Sequence, residues 1–452
     1  MTIQPNSIEG RDRAYHLHSY TNAKALERDG ALAIERGEGI YVYDASGKRY
    51  IEGMAGLWSV AVGFGEQRLV EAARRQLETL PYYHTFSART HGPAVDLAEK
   101  LIRMAPVPMS KAYFTNSGSE ANDTAIKMIW YRSNALGKPE KKKIISRIKG
   151  YHGVTLASAS LTGLPNNHRS FDLPLPGIFH TNCPHFRAFA QEGEDEAAFV
   201  ARCAADLEAL IEREGAETIA AFIGEPVMGA GGVIVPPAGY WQAIQAVLKK
   251  HDILLIADEV ICGFGRTGEM FGTTTMGLEP DIITVSKQLS SSYQPISALL
   301  INDRVYQPIA EESGRIGTFG HGYTGSGHPV AAAVALENLA IIEERNLLGN
   351  VQALAPLFQS RFKALESHPL AIEARGIGLI GALELAPREG FATGQLGPKL
   401  AAVMQENGLF SRAIGDSLAL CPPLIITEQQ VGAMFDIFEA SLDQFQAQLK
   451  VA

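Results

Sequence analysis

The chain has 452 residues, 46% of them hydrophobic and 20% charged, a globular composition with length enough to bury a large core in two or three domains. Its 40 Lys and Arg against 49 Asp and Glu leave a formal charge of −9 at pH 7, which offers no general attraction for nucleic acid or anionic lipid. Four dispersed cysteines, Cys183, Cys203, Cys262 and Cys421, form no C-x-x-C pair, so neither a zinc site nor a disulfide framework is expected, and a reducing cytoplasm fits best.

The opening MTIQPNSIEGRDR lacks the basic-then-apolar order of a secretory signal, and no apolar run approaches the roughly 18 residues of a spanning helix. Neither export nor membrane insertion is expected. Residues 11–60 read as a polar start followed by short strands around Gly39 to Asp44, with a turn at Ala45-Ser46-Gly47-Lys48. From about 65 to 325, helical stretches alternate with short apolar runs at 112–114, 143–145, 218–223, 253–257, 282–285 and 296–301. Runs that are apolar on both faces predict buried parallel strands between covering helices. The run Lys141-Lys142-Lys143 reads as a solvated turn. Beyond about 330, an Ala-rich helix from Val330 to Glu344, a strand-like stretch at 376–385 and two further helical segments predict a second, α+β unit.

In open α/β sheets ligands sit beyond the carboxyl ends of the strands, so the residues that follow each run carry the functional signal. After Tyr113-Phe114-Thr115 come Asn116-Ser117-Gly118-Ser119-Glu120 and a helix, an arrangement that offers free backbone N–H groups to a phosphate or, alternatively, a plain Ser N-cap. After Lys143-Ile144-Ile145-Ser146 comes Gly150-Tyr151-His152-Gly153, a flat face for stacking on a planar ring or an aromatic packing a turn. Asp258 and Glu259 follow the run at 253–257, and a carboxylate there needs a partner: a protonated pyridine nitrogen, Mg²⁺ or an arginine. Lys287 follows Ile282 to Ser286, where partial burial would favour the neutral amine that condenses with an aldehyde; a solvated strand-end lysine is the alternative. Glu225, closing the run at 218–224, fits either a site or a salt bridge. Together these residues supply a phosphate cradle, a stacking face, an acid for a ring nitrogen and an imine-forming amine, all of which pyridoxal 5′-phosphate requires.

A nucleotide enzyme is the rival reading, because 253–259 is an apolar strand ending in acids and Gly263-x-Gly265-x-x-Gly268 matches a dinucleotide fingerprint. It fails on context. No G-x-x-x-x-G-K-[ST] loop is present, and EMFGTTTMGLEP follows Gly268 where a helix should begin.

Ser117 to Ala121, Tyr151-His152-Gly153, Ile256 to Val260 with Gly263 to Gly268, and Pro280-Asp281-Ile282 leading to Ser286-Lys287 closely resemble the class III pyridoxal phosphate aminotransferases, over roughly residues 20 to 445. Gly56-Leu57-Trp58, Glu225 to Gly232, His321-Gly322-Tyr323-Thr324 and Leu420-Cys421-Pro422-Pro423 are most similar to the ω-transaminases, which pass an amino group from amines or ω-amino acids to pyruvate. The resemblance implies an α/β, fold type I chain with a large, mainly parallel-sheet cofactor domain (61–325) and a smaller α+β domain built from both ends (1–60 and 326–452). It further implies a homodimer with shared active sites and a two-stage, ping-pong cycle. Lys287 would carry the cofactor and move the proton, and Asp258 would hold the ring nitrogen protonated. Val260 and Tyr151 would sandwich the ring, Glu225 would lie near its phenolic edge, Ser117, Gly118, Ser119 and His152 would complete the cofactor site, and Thr324 would reach the partner's cofactor phosphate. Leu57, Trp58, Phe86, Tyr151, Val154 and Ala230 would form a largely apolar substrate pocket, with Phe86 open to a simple packing role. Arg412 would swing in to pair with a carboxylate, and no metal is expected. Many family members have a small residue after the lysine, whereas Gln288-Leu289-Ser290 follows here, which puts the shape of that loop in question. Other class III activities, such as an ornithine-type aminotransferase or an aminomutase, share these features.

Overall fold

The computed structural model describes residues 6–451. A seven-stranded sheet lies at its centre, in the order Lys111–Thr115, Ser297–Ile301, Ile282–Val285, Leu254–Asp258, Ile219–Gly224, Lys143–Arg147, Ile178–Thr181. Every residue of the four strands from Ser297–Ile301 to Ile219–Gly224 is buried, as their continuous apolar runs require. Each Ile or Leu removed from water there contributes about 1.5–3 kcal/mol.

Two expectations are corrected. The run at 296–301 is antiparallel to both neighbours, because the segment 286–296 is shorter than the dozen or so residues a parallel crossover needs. The stretch at 376–385 is a hairpin: Ala371–Ile377 pairs antiparallel with Ile380–Leu385 through a turn at Gly378, whose φ is 56°. A Cβ there would lie 2.4 Å from the Arg266 carbonyl oxygen, so only glycine fits. The edge strand Ile178–Thr181 has no continuous apolar signal because three of its four residues are only half-buried.

Helix Gly118–Ala135 covers one sheet face, packing Ala121, Ala125 and Ile129 against Ile144, Ile223, Ile256 and Leu299. Its start is fixed by local bonds: Ser117 Oγ accepts the Glu120 N–H at 3.2 Å, and Glu120 Oε2 accepts the Asn116 N–H at 2.7 Å. Helices that include Pro329–Glu344 cover the other face.

Two four-stranded sheets flank this core. In one, the meander Ile34–Glu38, Tyr41–Asp44, Arg49–Glu52 gains Leu409–Phe410, parallel to Arg49–Glu52. That pairing sets the loop after Glu52 beside Arg412. The other sheet joins the hairpin to Ser417–Leu420 and Arg412–Ile414. No helix among the described residues is long and apolar enough to cross a membrane.

Candidate active site

A cavity of about 810 Å³ opens beyond the carboxyl ends of the parallel strands. Gly118, Ser119, Tyr151, His152, Glu225, Asp258, Val260 and Lys287 all line it, as do Leu57, Trp58, Ala230 and Arg412.

Asp258 ends a fully buried strand and is itself only 3% exposed. Its Oδ2 accepts from His152 Nδ1 at 2.8 Å and Asn122 Nδ2 at 2.9 Å, while its Oδ1 accepts, among the described residues, only the Val260 N–H, at 3.1 Å. The adjacent Glu259 serves the fold instead. Its carboxylate accepts the N–H groups of Gly272 and Thr273, and burial pushes its pKa up to about 7.

Lys287 starts a single 3₁₀ turn, Lys287–Leu289, with φ at 46°, a left-handed conformation that a lysine adopts only under constraint. Burial lowers its pKa from 10.5 to about 8, against the opposing pull of Asp258. Its Nζ lies 5.6 Å from the centre of the Trp58 ring and makes no hydrogen bond or ion pair among the described residues. The residue after it is a clamp: Gln288 Nε2 donates to the carbonyls of Gly263 at 2.7 Å and Ile261 at 3.2 Å, and its Oε1 accepts from the fully buried Arg266 at 3.2 Å.

At the opposite wall, Gly118 and Ser119 begin their helix, where backbone N–H groups have no intrahelical acceptor. A Cβ on Gly153 would sit 2.5 Å from Ser119 Oγ, and one on Gly118 3.0 Å from a Val260 methyl, so the glycines keep this wall open. Ser117 does not line the cavity; its side chain is spent on the helix cap. Glu225 forms no ion pair among the described residues. Its carboxylate accepts the N–H groups of Tyr151 at 3.0 Å and Gly229 at 2.9 Å, and burial pushes its pKa up.

Trp58 is 1% exposed, and the Arg412 guanidinium lies 5.4 Å from its ring centre. Arg412 has no carboxylate partner among the described residues, and burial holds its pKa below the ordinary value. Phe86, Val154 and Thr324 lie outside the cavity: Phe86 and Val154 are 44% and 58% exposed, and the Thr324 carbonyl accepts the Tyr82 hydroxyl at 2.9 Å. Sequence reasoning missed Ser19, Tyr20, Glu52, Met54 and Phe410 in the lining, and Asn122 behind it. Phe410 is signalled by its nearness to Arg412; Tyr20 sits in a polar segment without periodicity and gives no sign. Among the described residues two histidine–carboxylate clusters lie elsewhere, Asp12/His16/His18 and His185/Glu373/Glu384; in the second, Arg375 Nη1 already bridges the two glutamates.

This donor set fits pyridoxal phosphate. Helix-start amides suit a phosphate, a carboxylate with one lightly used oxygen suits a protonated ring nitrogen, and an unpaired, partly neutral amine suits an aldehyde. The family described as Aminotransferase class-III matches residues 24–442. The omega transaminase from Pseudomonas jessenii, solved in complex with PMP, superposes with a TM-score of 0.97 at 59% identity, covering 98% of this chain and 99% of that one. Gamma aminobutyrate transaminase 1, mitochondrial, of Solanum lycopersicum is 51% identical over 91% of this chain and 81% of its own length. The vanillin aminotransferase of Capsicum annuum is 48% identical over 91% of both chains. A lysine, an acid and a helix start converging beyond a parallel sheet thus meet a family match over nearly the whole length: the chain belongs to the class-III aminotransferases and is a pyridoxal phosphate-dependent transaminase of fold type I.

Proposed function

We propose that the enzyme transfers an amino group from an uncharged amine or an ω-amino acid to pyruvate or a similar keto acid. The observation that carries this reading is Arg412, a guanidinium that lines the cavity with no carboxylate partner among the described residues, beside a wall formed by Leu57, Trp58, Met54, Ala230 and Ile261. An apolar wall suits the amine chain, and a free guanidinium suits the carboxylate of the keto acid as a bidentate partner. The relative named for γ-aminobutyrate supports an ω-amino donor, and the one named for vanillin supports a pocket that admits an aromatic ring.

When bound, the cofactor supplies the electron sink for the pair left when a substrate carbon gives up its proton. Lys287 Nζ, neutral above about pH 8, takes up that proton and returns it. With the cofactor bound, Asp258 would hold the proton on the ring nitrogen, Tyr151 and Val260 would flank the ring, and the first-turn amides of Gly118 and Ser119 would take the phosphate. Trp58 and Leu57 exclude water from one side. Donor and acceptor occupy the same cavity in turn, which predicts ping-pong kinetics.

The enzyme works as a homodimer in this reading, with Thr324 completing the partner's phosphate site. Its support is a patch that this chain leaves open: Tyr82, Tyr83 and Phe86, exposed by 41%, 41% and 44%, beside Thr324. The division into a cofactor unit at 61–325 and end-built units at 1–60 and 326–452 is supported by the seven-stranded sheet lying wholly within residues 111–301. Four buried, unpaired cysteines support a reducing cytoplasm.

The test is to incubate purified enzyme with γ-aminobutyrate, β-alanine or a simple aromatic amine plus pyruvate, and to measure alanine. Alanine formed from at least one donor supports the reading. No alanine from any of them, with turnover of ornithine and 2-oxoglutarate, overturns it.

A further inference from the structure

Asn122 belongs to no motif and is 1% exposed, one turn into helix Gly118–Ala135. Its amide nitrogen donates twice, to the His152 carbonyl at 2.7 Å and to Asp258 Oδ2 at 2.9 Å. Both neighbours are acceptors, so a flipped amide would set oxygen against two oxygens and the orientation is fixed by chemistry. Its own Oδ1 has no partner among the described residues, so one polar atom is left unpaired while both its donors are used.

His152 gives the second bond to the same oxygen. Its Nδ1 lies 2.8 Å from Asp258 Oδ2, and its Nε2 is buried without a partner. A carboxylate oxygen can only accept, so His152 donates to it through Nδ1. Asp258 Oδ2 therefore carries two side-chain donors, whereas Oδ1 has, among the described residues, the Val260 N–H alone.

We propose that Asn122 is a positioning residue for the transamination chemistry: it ties Oδ2 and the Tyr151–His152 turn to one helix, so that Oδ1 is the oxygen presented to the cofactor's ring nitrogen. The proposal rests on the reading of Asp258 as the partner of that nitrogen. The clamp also makes one unit of the three segments that would meet the cofactor: the helix start at Gly118 and Ser119, the turn at Tyr151 and His152, and the strand end at Asp258. Without it, the carboxylate can rotate and the ring nitrogen holds its proton less firmly. The other ionisable groups that act on Asp258 are Glu225, Glu259, Tyr151, Cys262 and Lys287, and none of them is altered by a change at position 122.

The experiment compares cofactor-loaded wild type, Asn122→Ala, Asn122→Asp and Asp258→Asn. Two quantities are read: the pH midpoint of the cofactor's visible absorbance, and the single-turnover rate with an amine donor across donor concentration. A ring nitrogen with a weaker hold on its proton withdraws less charge, so the midpoint in Asn122→Ala rises by about one unit. The limiting rate falls about 10- to 100-fold while the half-saturating amine concentration stays within about twofold, because the amine pocket is untouched. The near-isosteric Asn122→Asp sets a second carboxylate against Oδ2; it loses rate at least as severely and gives the same comparison if the alanine variant does not fold. An unchanged midpoint and rate in the folded variants, with Asp258→Asn inactive, overturns the role of Asn122 alone. If Asp258→Asn is itself unchanged, the reading of Asp258 fails first.

Discussion

The apoenzyme's capture of its cofactor should follow the titration of Lys287. Burial lowers this amine from 10.5 to about 8. At pH 7 about one molecule in ten then has the neutral, nucleophilic form, against about three in ten thousand for a solvated lysine, a gain of about 300-fold. Apoenzyme mixed with excess pyridoxal phosphate should develop its visible band at a rate that climbs about tenfold per pH unit below 8 and levels off above it. The cofactor's phosphate completes its own ionisation near pH 6, so its effect is confined to the lower end of the range. The same shift has a stability sign. Between about 8 and 10.5 the unfolded chain holds a proton that the folded apoenzyme has lost, so stability rises with pH across this window, by about 3 kcal/mol in total. Lys287→Met should lack that increment, and the difference between the two denaturation profiles isolates it from other groups titrating nearby. A capture rate that keeps climbing with unit slope through pH 10 would mean a solvated lysine and would refute the argument from burial.

Asp258→Asn should bind cofactor yet lose turnover by roughly 10²- to 10⁴-fold, the equivalent of about 3–5 kcal/mol from a broken buried ion pair; a fall of less than about tenfold argues against the pairing. Arg412→Ala should weaken the keto-acid half-reaction by about 2–5 kcal/mol and leave the half-reaction of a simple amine nearly unchanged. Stopped-flow measurement of each half-reaction checks this, and equal slowing of both removes Arg412 from carboxylate recognition. Gln288→Ala strips the buried Arg266 of one acceptor and two buried carbonyls of their donor, at about 1–3 kcal/mol per unsatisfied group. The holoenzyme should melt several degrees lower, and a change within about a degree would show that the clamp carries no weight.

What was legible in the sequence follows physical rules. Fully buried strands announce themselves as apolar runs, and the polar residue after each run falls at the strand end, so Asp258, Glu225 and Lys287 could be placed before any coordinates. Strand direction at 296–301 is not carried by the apolar run, which looks the same either way; the signal lies in the short return at 286–296, too brief for a parallel crossover. The hairpin at 376–385 was not legible, because the break is a single glycine inside an apolar stretch. Position after the apolar run does not by itself divide the labour between Asp258 and Glu259, since a one-residue step on a strand reverses the face; it was the resemblance to the family that assigned the ring nitrogen to Asp258. Asn122 escaped because its two bonds reach residues 30 and 136 positions away.

The loop after Lys287 is held in a strained conformation by its buried neighbours. Lys287, Ser291 and Ser292 all have positive φ, at 46°, 48° and 58°, each a conformation that non-glycine residues hold only when surroundings over-determine it. Here three sets of bonds do so. Gln288 grips the carbonyls of Ile261 and Gly263 and the Arg266 guanidinium. Asn338, buried in helix Pro329–Glu344, donates to the Gln288 carbonyl at 2.7 Å and the Leu289 carbonyl at 3.1 Å. Ser291 Oγ donates to Asn338 Oδ1 at 2.6 Å and accepts the Ala61 and Val62 N–H groups at 3.1 and 3.2 Å. A small residue after the lysine would free the backbone and leave its geometry to neighbouring packing; Gln288 instead adds a side chain that fixes it. The strained turn is thereby tied both to the loop that follows Asp258 and to the segment that follows Trp58. Loss of any one of these contacts leaves a buried polar group beside the turn unpaired and removes part of what holds Lys287 at its left-handed φ.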